Sequence, residues 1–166
     1  MAISFVSATP YTSSVTQKEH VFSHTVAAGS DRVLLVAVQC WGNDYAREVT
    51  YGGVRLSLIA RAFPNSTAKP TVEWWGMVAP PVGLADVAIE MTGSGTNYVC
   101  AAALSYTGVD QLGPIGAGAT ANAATGTTCS CNLTTLAANS WIVGAKGGYG
   151  GDTYPHAPGA GVTERV

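Results

Sequence analysis

Leu84-Ala85-Asp86-Val87-Ala88-Ile89-Glu90-Met91 is the stretch that decides the fold. Ala85, Val87, Ile89 and Met91 share one phase of a two-residue period; Asp86, Ala88 and Glu90 share the other. Successive side chains of a strand point to opposite faces, so one side of this segment is core and the other is wet. The same period continues on both sides of it. Pro80-Pro81 stops an upstream strand, Thr71–Val78. Downstream, the Gly/Ser turn at Thr92–Thr96 leads into a long strand, Asn97–Thr107. Further back, Glu19–Val26 is a strand candidate, and Arg32–Trp41 holds a continuous apolar run, Val33 to Val38, that predicts burial on both faces. Glu48–Tyr51 turns through Gly52-Gly53, which supply the positive φ of a tight hairpin, into Val54–Phe63.

Beyond residue 107 the pattern weakens. Residues 113–127 read as a loop of Gly, Ala and Thr. Thr128–Thr135 and Ser140–Lys146 are expected to be two more strands, and Gly161–Val166 to begin a last one after a Gly/Pro/Tyr loop. No segment shows a helical period. About ten short strands with regular turn signals mean an all-β, antiparallel β-sandwich or barrel with essentially no helix. By length, residues 1–166 form one domain.

Composition narrows the function. Only 11% of the residues are charged, against roughly 25% in a typical soluble domain. The net charge is −2, so little self-repulsion holds copies apart. The scattered basic residues do not form the clustered patch that nucleic acid requires. The apolar runs are strand-sized and fall short of the ~20 residues that span a bilayer, so no membrane insertion is expected. Met1-Ala2-Ile3-Ser4 shows neither the basic region nor the apolar core of a signal peptide. That leaves a removed signal, another exit route such as a virion, or cytoplasmic residence open.

The candidate catalytic pairs fail on strand geometry. His20 and His24, and likewise Asp86 and Glu90, lie four residues apart, about 13 Å on a strand at ~3.3 Å per residue. That is too far for one metal ion, and beyond the ~5–9.5 Å between the carboxylates of a glycosidase. His20 and His24 read instead as surface or core-rim residues, and Asp86 and Glu90 as solubilising charges. Gly93-Ser94-Gly95 is not a nucleophile elbow. Gly147-Gly148-Tyr149-Gly150-Gly151 lacks the Lys-Ser/Thr of a phosphate loop. No catalytic residue, metal site or cofactor is expected. Cys40, Cys100, Cys129 and Cys131 read either as buried reduced thiols or as one or two disulfides, with the connectivity open.

Aromatic residues carry the binding candidates. Trp41 and Tyr45 flank Gly42-Asn43-Asp44, where a ring beside Asn43 and Asp44 could stack on a sugar and bond its hydroxyls. The bland reading is that these rings cap the core. Trp74 and Trp75 are consecutive and so face opposite ways. One belongs to the core; the other needs cover from a loop or from a neighbouring subunit.

Thr50-Tyr51-Gly52-Gly53-Val54, the run from Val72-Glu73-Trp74-Trp75 to Pro80-Pro81-Val82-Gly83, Ala103-Leu104-Ser105-Tyr106-Thr107-Gly108-Val109-Asp110-Gln111, and Phe22-Ser23-His24-Thr25-Val26 ahead of Ser30–Val36 together resemble a group of jelly-roll-like β-sandwich modules of bacterial secreted proteins and phage structural proteins. The resemblance covers roughly residues 20 to 146. It implies a sandwich in an extracellular, cell-surface or virion setting, with a structural, adhesive or glycan-binding role and no catalytic residue. It also implies further strands after Ser140–Lys146, which leaves three readings open: a short family member, a truncated chain, or a sandwich that lacks its final strands and leaves an edge open to another copy. The function expected is therefore a non-catalytic subunit of a filament, virion or surface array that self-assembles, with copies of itself as partners. The alternative is a carbohydrate-binding or adhesive module.

Overall fold

The computed structural model describes residues 2–15, 17–41, 44–63, 70–93, 98–116, 118–121, 130–147 and 163. Among the described residues nine strands follow one another: β1 (Ser4–Ser13), β2 (Glu19–Val26), β3 (Val33–Cys40), β4 (Ala46–Tyr51), β5 (Val54–Arg55), β6 (Ser57–Ala62), β7 (Thr71–Val78), β8 (Gly83–Met91) and β9 (Val99–Thr107). They form two antiparallel sheets in the orders β1-β9-β3-β7-β6 and β2-β8-β4-β5. The fold is an antiparallel β-sandwich.

The inter-sheet core holds the inward phase of each strand. Leu34, Val36, Val38 and Cys40 of β3 join Val87, Ile89 and Met91 of β8, together with Trp75, Met77, Val99 and Ala103. The central strand β3 is buried on its second face too. There Val33 and Leu35 cluster with Ala102, Leu104 and Tyr106, and Phe5, Trp74 and Val143 pack over them. Trp141 meets Tyr106 edge-on at 6.1 Å between ring centroids. The segment around Trp141 and Val143 thus covers the outer face of the five-stranded sheet.

Two turns show why their residues are glycine. Gly52 and Gly53 have φ of 56° and 78°, the positive pair that a two-residue hairpin with right-handed strand twist needs. Gly108 has φ of 70°, and a side chain there would collide with the Ala2 carbonyl.

One strand is added and three expected ones are corrected. β1 pairs with β9 from Ser4 to Ser13, although its small polar residues give no strong alternation. Val54–Phe63 is not one strand: β5 ends at Arg55 in the four-stranded sheet, the chain turns at buried Leu56, and β6 starts at Ser57 in the other sheet. Among the described residues of Thr128–Thr135 and Ser140–Lys146 there is no strand. Alternation marks a segment able to pair, but a strand exists only where another lies alongside. Of the expected strand at Gly161–Val166, only Thr163 is among the described residues.

Candidate functional site

β7 sends Thr71, Glu73, Trp75 and Met77 inward, so a carboxylate stands in the core. The reason lies across the sandwich. β5 pairs only with Thr50 and Tyr51, so the first residues of β4 have no strand neighbour on that side. Buried backbone groups must find partners. The Ala46 N–H donates to Glu73 Oε1 at 3.0 Å, and Arg61 Nη2 donates to the Ala46 carbonyl at 2.8 Å. Arg61 Nε also donates to Glu73 Oε1 at 2.9 Å, and Trp75 Nε1 donates to Glu73 Oε2 at 2.7 Å. An ion pair from one sheet thus supplies the acceptor and the donor that a strand would have offered in the other. Burial pushes the Glu73 carboxyl up, against the pull of Trp75, Arg61 and the Ala46 amide.

Arg61 continues from this buried pair to the surface. Its guanidinium lies 4.2 Å from the centre of the Tyr45 ring, and Phe63 meets Tyr45 edge-on at 5.7 Å. Here an open cleft of about 660 Å³ runs between β4, the β5–β6 corner and β6. Tyr45, Arg47, Arg55, Ser57, Arg61 and Thr92 line it, with Trp75 at its floor. Arg47 and Arg55 are exposed and reach Glu90 at 3.3 Å and Glu48 at 3.5 Å.

The histidines also differ from expectation. His20 and His24 are wholly buried, because they occupy the inward phase of β2. His24 Nε2 lies 2.6 Å from Ser105 Oγ, and its Nδ1 lies 2.8 Å from Thr9 Oγ1. A Ser-His contact invites a catalytic reading. Both residues are sealed in the core, however, and the third group is a hydroxyl rather than a carboxylate. Tyr11 Oη and Gln17 Nε2 approach His20 Nδ1 at 3.3 and 3.1 Å. Its Nε2 is buried without a partner among the described residues.

Burial lowers the pKa of both rings below the ordinary 6.5. The folded state then binds fewer protons than the unfolded chain as pH falls below 6.5, so folding stability is expected to drop on acidification through that range and to be flat above it. Urea midpoints at pH 8 and pH 5 measure this. His24→Phe should narrow the gap between them, and an unchanged gap would place the acid sensitivity elsewhere.

Of the ligand-binding candidates among the described residues, Tyr45 lines the cleft while Trp41 and Asp44 do not. Trp41 is half-buried, and its N–H donates to the Tyr98 carbonyl. The Asp44 carboxylate lies against Gly93, and Asn43 lies outside the described residues. Tyr51 is buried, its hydroxyl donating to the Gly83 carbonyl at 2.7 Å. Trp75 is the core member of its pair and offers no surface to a neighbour; Trp74 is half-buried on the outer face with Val143. Asp86 accepts from Ser23 Oγ at 2.7 Å on the wet face.

Cys40, Cys100 and Cys131 are free thiols, and Cys129 lies outside the described residues. Neighbouring strands set Cys40 inward and Cys100 outward, which keeps those two from bridging. Burial first, then the Glu73 and Asp44 charges, push the Cys40 thiol far above its ordinary range. Arg61 and Glu73 were not singled out by the sequence reading, although the signal was there: Glu73 stands between Thr71 and Trp75 in the inward phase of β7, and a charge at a core position calls for a buried partner.

Comparison with protein-family models, with curated proteins and with solved structures finds no match.

Proposed function

We propose that this chain is a non-catalytic structural subunit that assembles with copies of itself through the open edge of β2. Among the described residues the sandwich has four edge strands: β1, β6, β2 and β5. Natural proteins blunt such edges with proline, bulges or shortness. β1 carries Pro10 and a register shift between Phe5 and Ser7. β6 has a shift between Leu58 and Ala60, and β5 is two residues long. β2 differs: it runs in unbroken register with β8 from Glu19 to Val26. That unblunted edge is the observation that carries the reading. The Met91 N–H donates to the Lys18 carbonyl, and antiparallel alternation then leaves the amides of Glu19, Val21, Ser23 and Thr25 on the free side. Low charge removes the repulsion that would keep copies apart. A filament, virion or surface array is the setting in which such a subunit acts.

Val21→Pro tests it, because proline removes a donor that no strand among the described residues uses. The wild-type protein should elute as an oligomer or form particles visible by electron microscopy. The variant should be monomeric with unchanged far-ultraviolet circular dichroism. A wild-type chain that stays monomeric at high concentration, or a variant that assembles normally, overturns the proposal. A second reading, a glycan-binding or adhesive module, is favoured by the cleft beside Tyr45.

A further inference from the structure

We infer that the cleft between β4 and β6 binds an anionic sugar, a pyranose bearing a carboxylate. The inference rests on the second reading above and is independent of assembly. Three of the chain's eight Lys and Arg residues, Arg47, Arg55 and Arg61, line this one cleft, and among the described residues no carboxylate lines it. In a chain of net charge −2, that gathering of cations does not follow from composition. All three are arginines, whose planar fork matches a carboxylate with two parallel hydrogen bonds.

The three guanidiniums are prepared differently. Arg61 is held in place by Glu73, the Ala46 carbonyl and the Tyr45 ring. Its Nε and Nη2 are engaged, and its Nη1 has no partner among the described residues. Such a donor binds with little further loss of side-chain freedom. Arg47 and Arg55 are exposed, and their pairs with Glu90 and Glu48 lie on the outer face of the sheet. Exposed pairs of this kind contribute about 0–1 kcal/mol, so either arginine can exchange its carboxylate for a ligand's at small cost.

The rest of the lining suits a sugar ring better than a bare anion. Tyr45 offers flat apolar surface, and the Ser57 and Thr92 hydroxyls can donate to or accept from ring hydroxyls. The volume of about 660 Å³ falls within the ~300–1,000 Å³ usual for small-ligand sites.

The test is calorimetric titration of the full chain at low salt with three probes: a galacturonic acid trisaccharide, a neutral galactose trisaccharide and inorganic sulfate. The acidic trisaccharide should bind at least about tenfold more tightly than either of the others. The double variant Arg47→Ala/Arg55→Ala changes two exposed side chains. It should lose at least about tenfold of that affinity while its thermal midpoint stays near the wild-type value. Equal binding of the neutral sugar overturns the anionic specificity but leaves the glycan reading standing. Sulfate binding as tightly as the acidic sugar shows a bare anion site and overturns the sugar. Undiminished binding by the double variant places the ligand elsewhere and overturns the inference. No binding of any probe overturns both it and the glycan reading.

Discussion

Glu73→Ala is expected to destabilise the fold by on the order of 3–5 kcal/mol, the cost of leaving one member of a buried ion pair alone. Glu73 is fully buried while Arg61 is 18% exposed. The loss therefore falls on the half-buried guanidinium, on the Ala46 N–H and on Trp75 Nε1 together. Urea denaturation of the single variant measures the total. The double variant Arg61→Met/Glu73→Leu separates two accounts of it. Were the pair only a matched set of charges, two apolar residues of similar size would recover the stability. The structure gives the pair a second task, which is to satisfy both backbone groups of Ala46 where β5 has ended. Each buried group left unpaired costs about 1–3 kcal/mol. The double variant should recover part of the loss and stay below the wild type. Complete recovery would remove the edge-capping role.

Trp75 carries the second large effect. It is 4% exposed and belongs to the inter-sheet cluster with Met77 and Val36. Trp75→Ala should cost about 3–5 kcal/mol, the usual range for deleting a buried aromatic ring and leaving a cavity. Trp75→Phe keeps much of the packing but removes the Nε1 donor to Glu73 Oε2, at about 1–3 kcal/mol. The two mechanisms differ in their coupling. Trp75→Phe and Glu73→Gln touch one hydrogen-bond network, so their costs should not add. Trp75→Phe and a distant core change such as Ile89→Val should add within a few tenths of a kcal/mol. A cycle in which Trp75 and Glu73 behave independently would show that Trp75 acts through packing alone.

Strong local patterns proved legible. The alternation from Ala85 to Met91 places Val87, Ile89 and Met91 in the core as expected. The run from Val33 to Val38 is buried on both faces of the sheet, and Gly52-Gly53 makes the hairpin between β4 and β5. These features depend on a few neighbouring residues and on backbone sterics. β1 was harder, since Pro10 argues against a strand and only the pairing with β9, some ninety residues away, makes it one. The stretch Ser140–Lys146 misled in the opposite direction: it reads as a strand, yet it lies across the outer face of a sheet with Trp141 on Tyr106.

The candidate site divides along the same line. Tyr45 could be named from sequence because an aromatic ring beside Asn43 and Asp44 is a local feature. Its companions could not, since Arg47, Arg55 and Arg61 come together only because β5 stops after two residues and the chain crosses to the other sheet at Leu56. The histidines show the limit most plainly. Spacing along β2 put His20 and His24 four residues apart on one strand face, about 13 Å at ~3.3 Å per residue. That same alternation had already set both rings facing inward, but only β1 and β9 supply the Thr9, Tyr11 and Ser105 hydroxyls beside them. By itself the sequence determined which residues alternate, and so which face of each strand avoids water. The tertiary structure alone decided which strands meet, where a ladder runs out of partners, and therefore why a Glu-Arg pair stands in the core, because hydrogen bonds between strands join residues far apart in the chain and no local pattern records the partner.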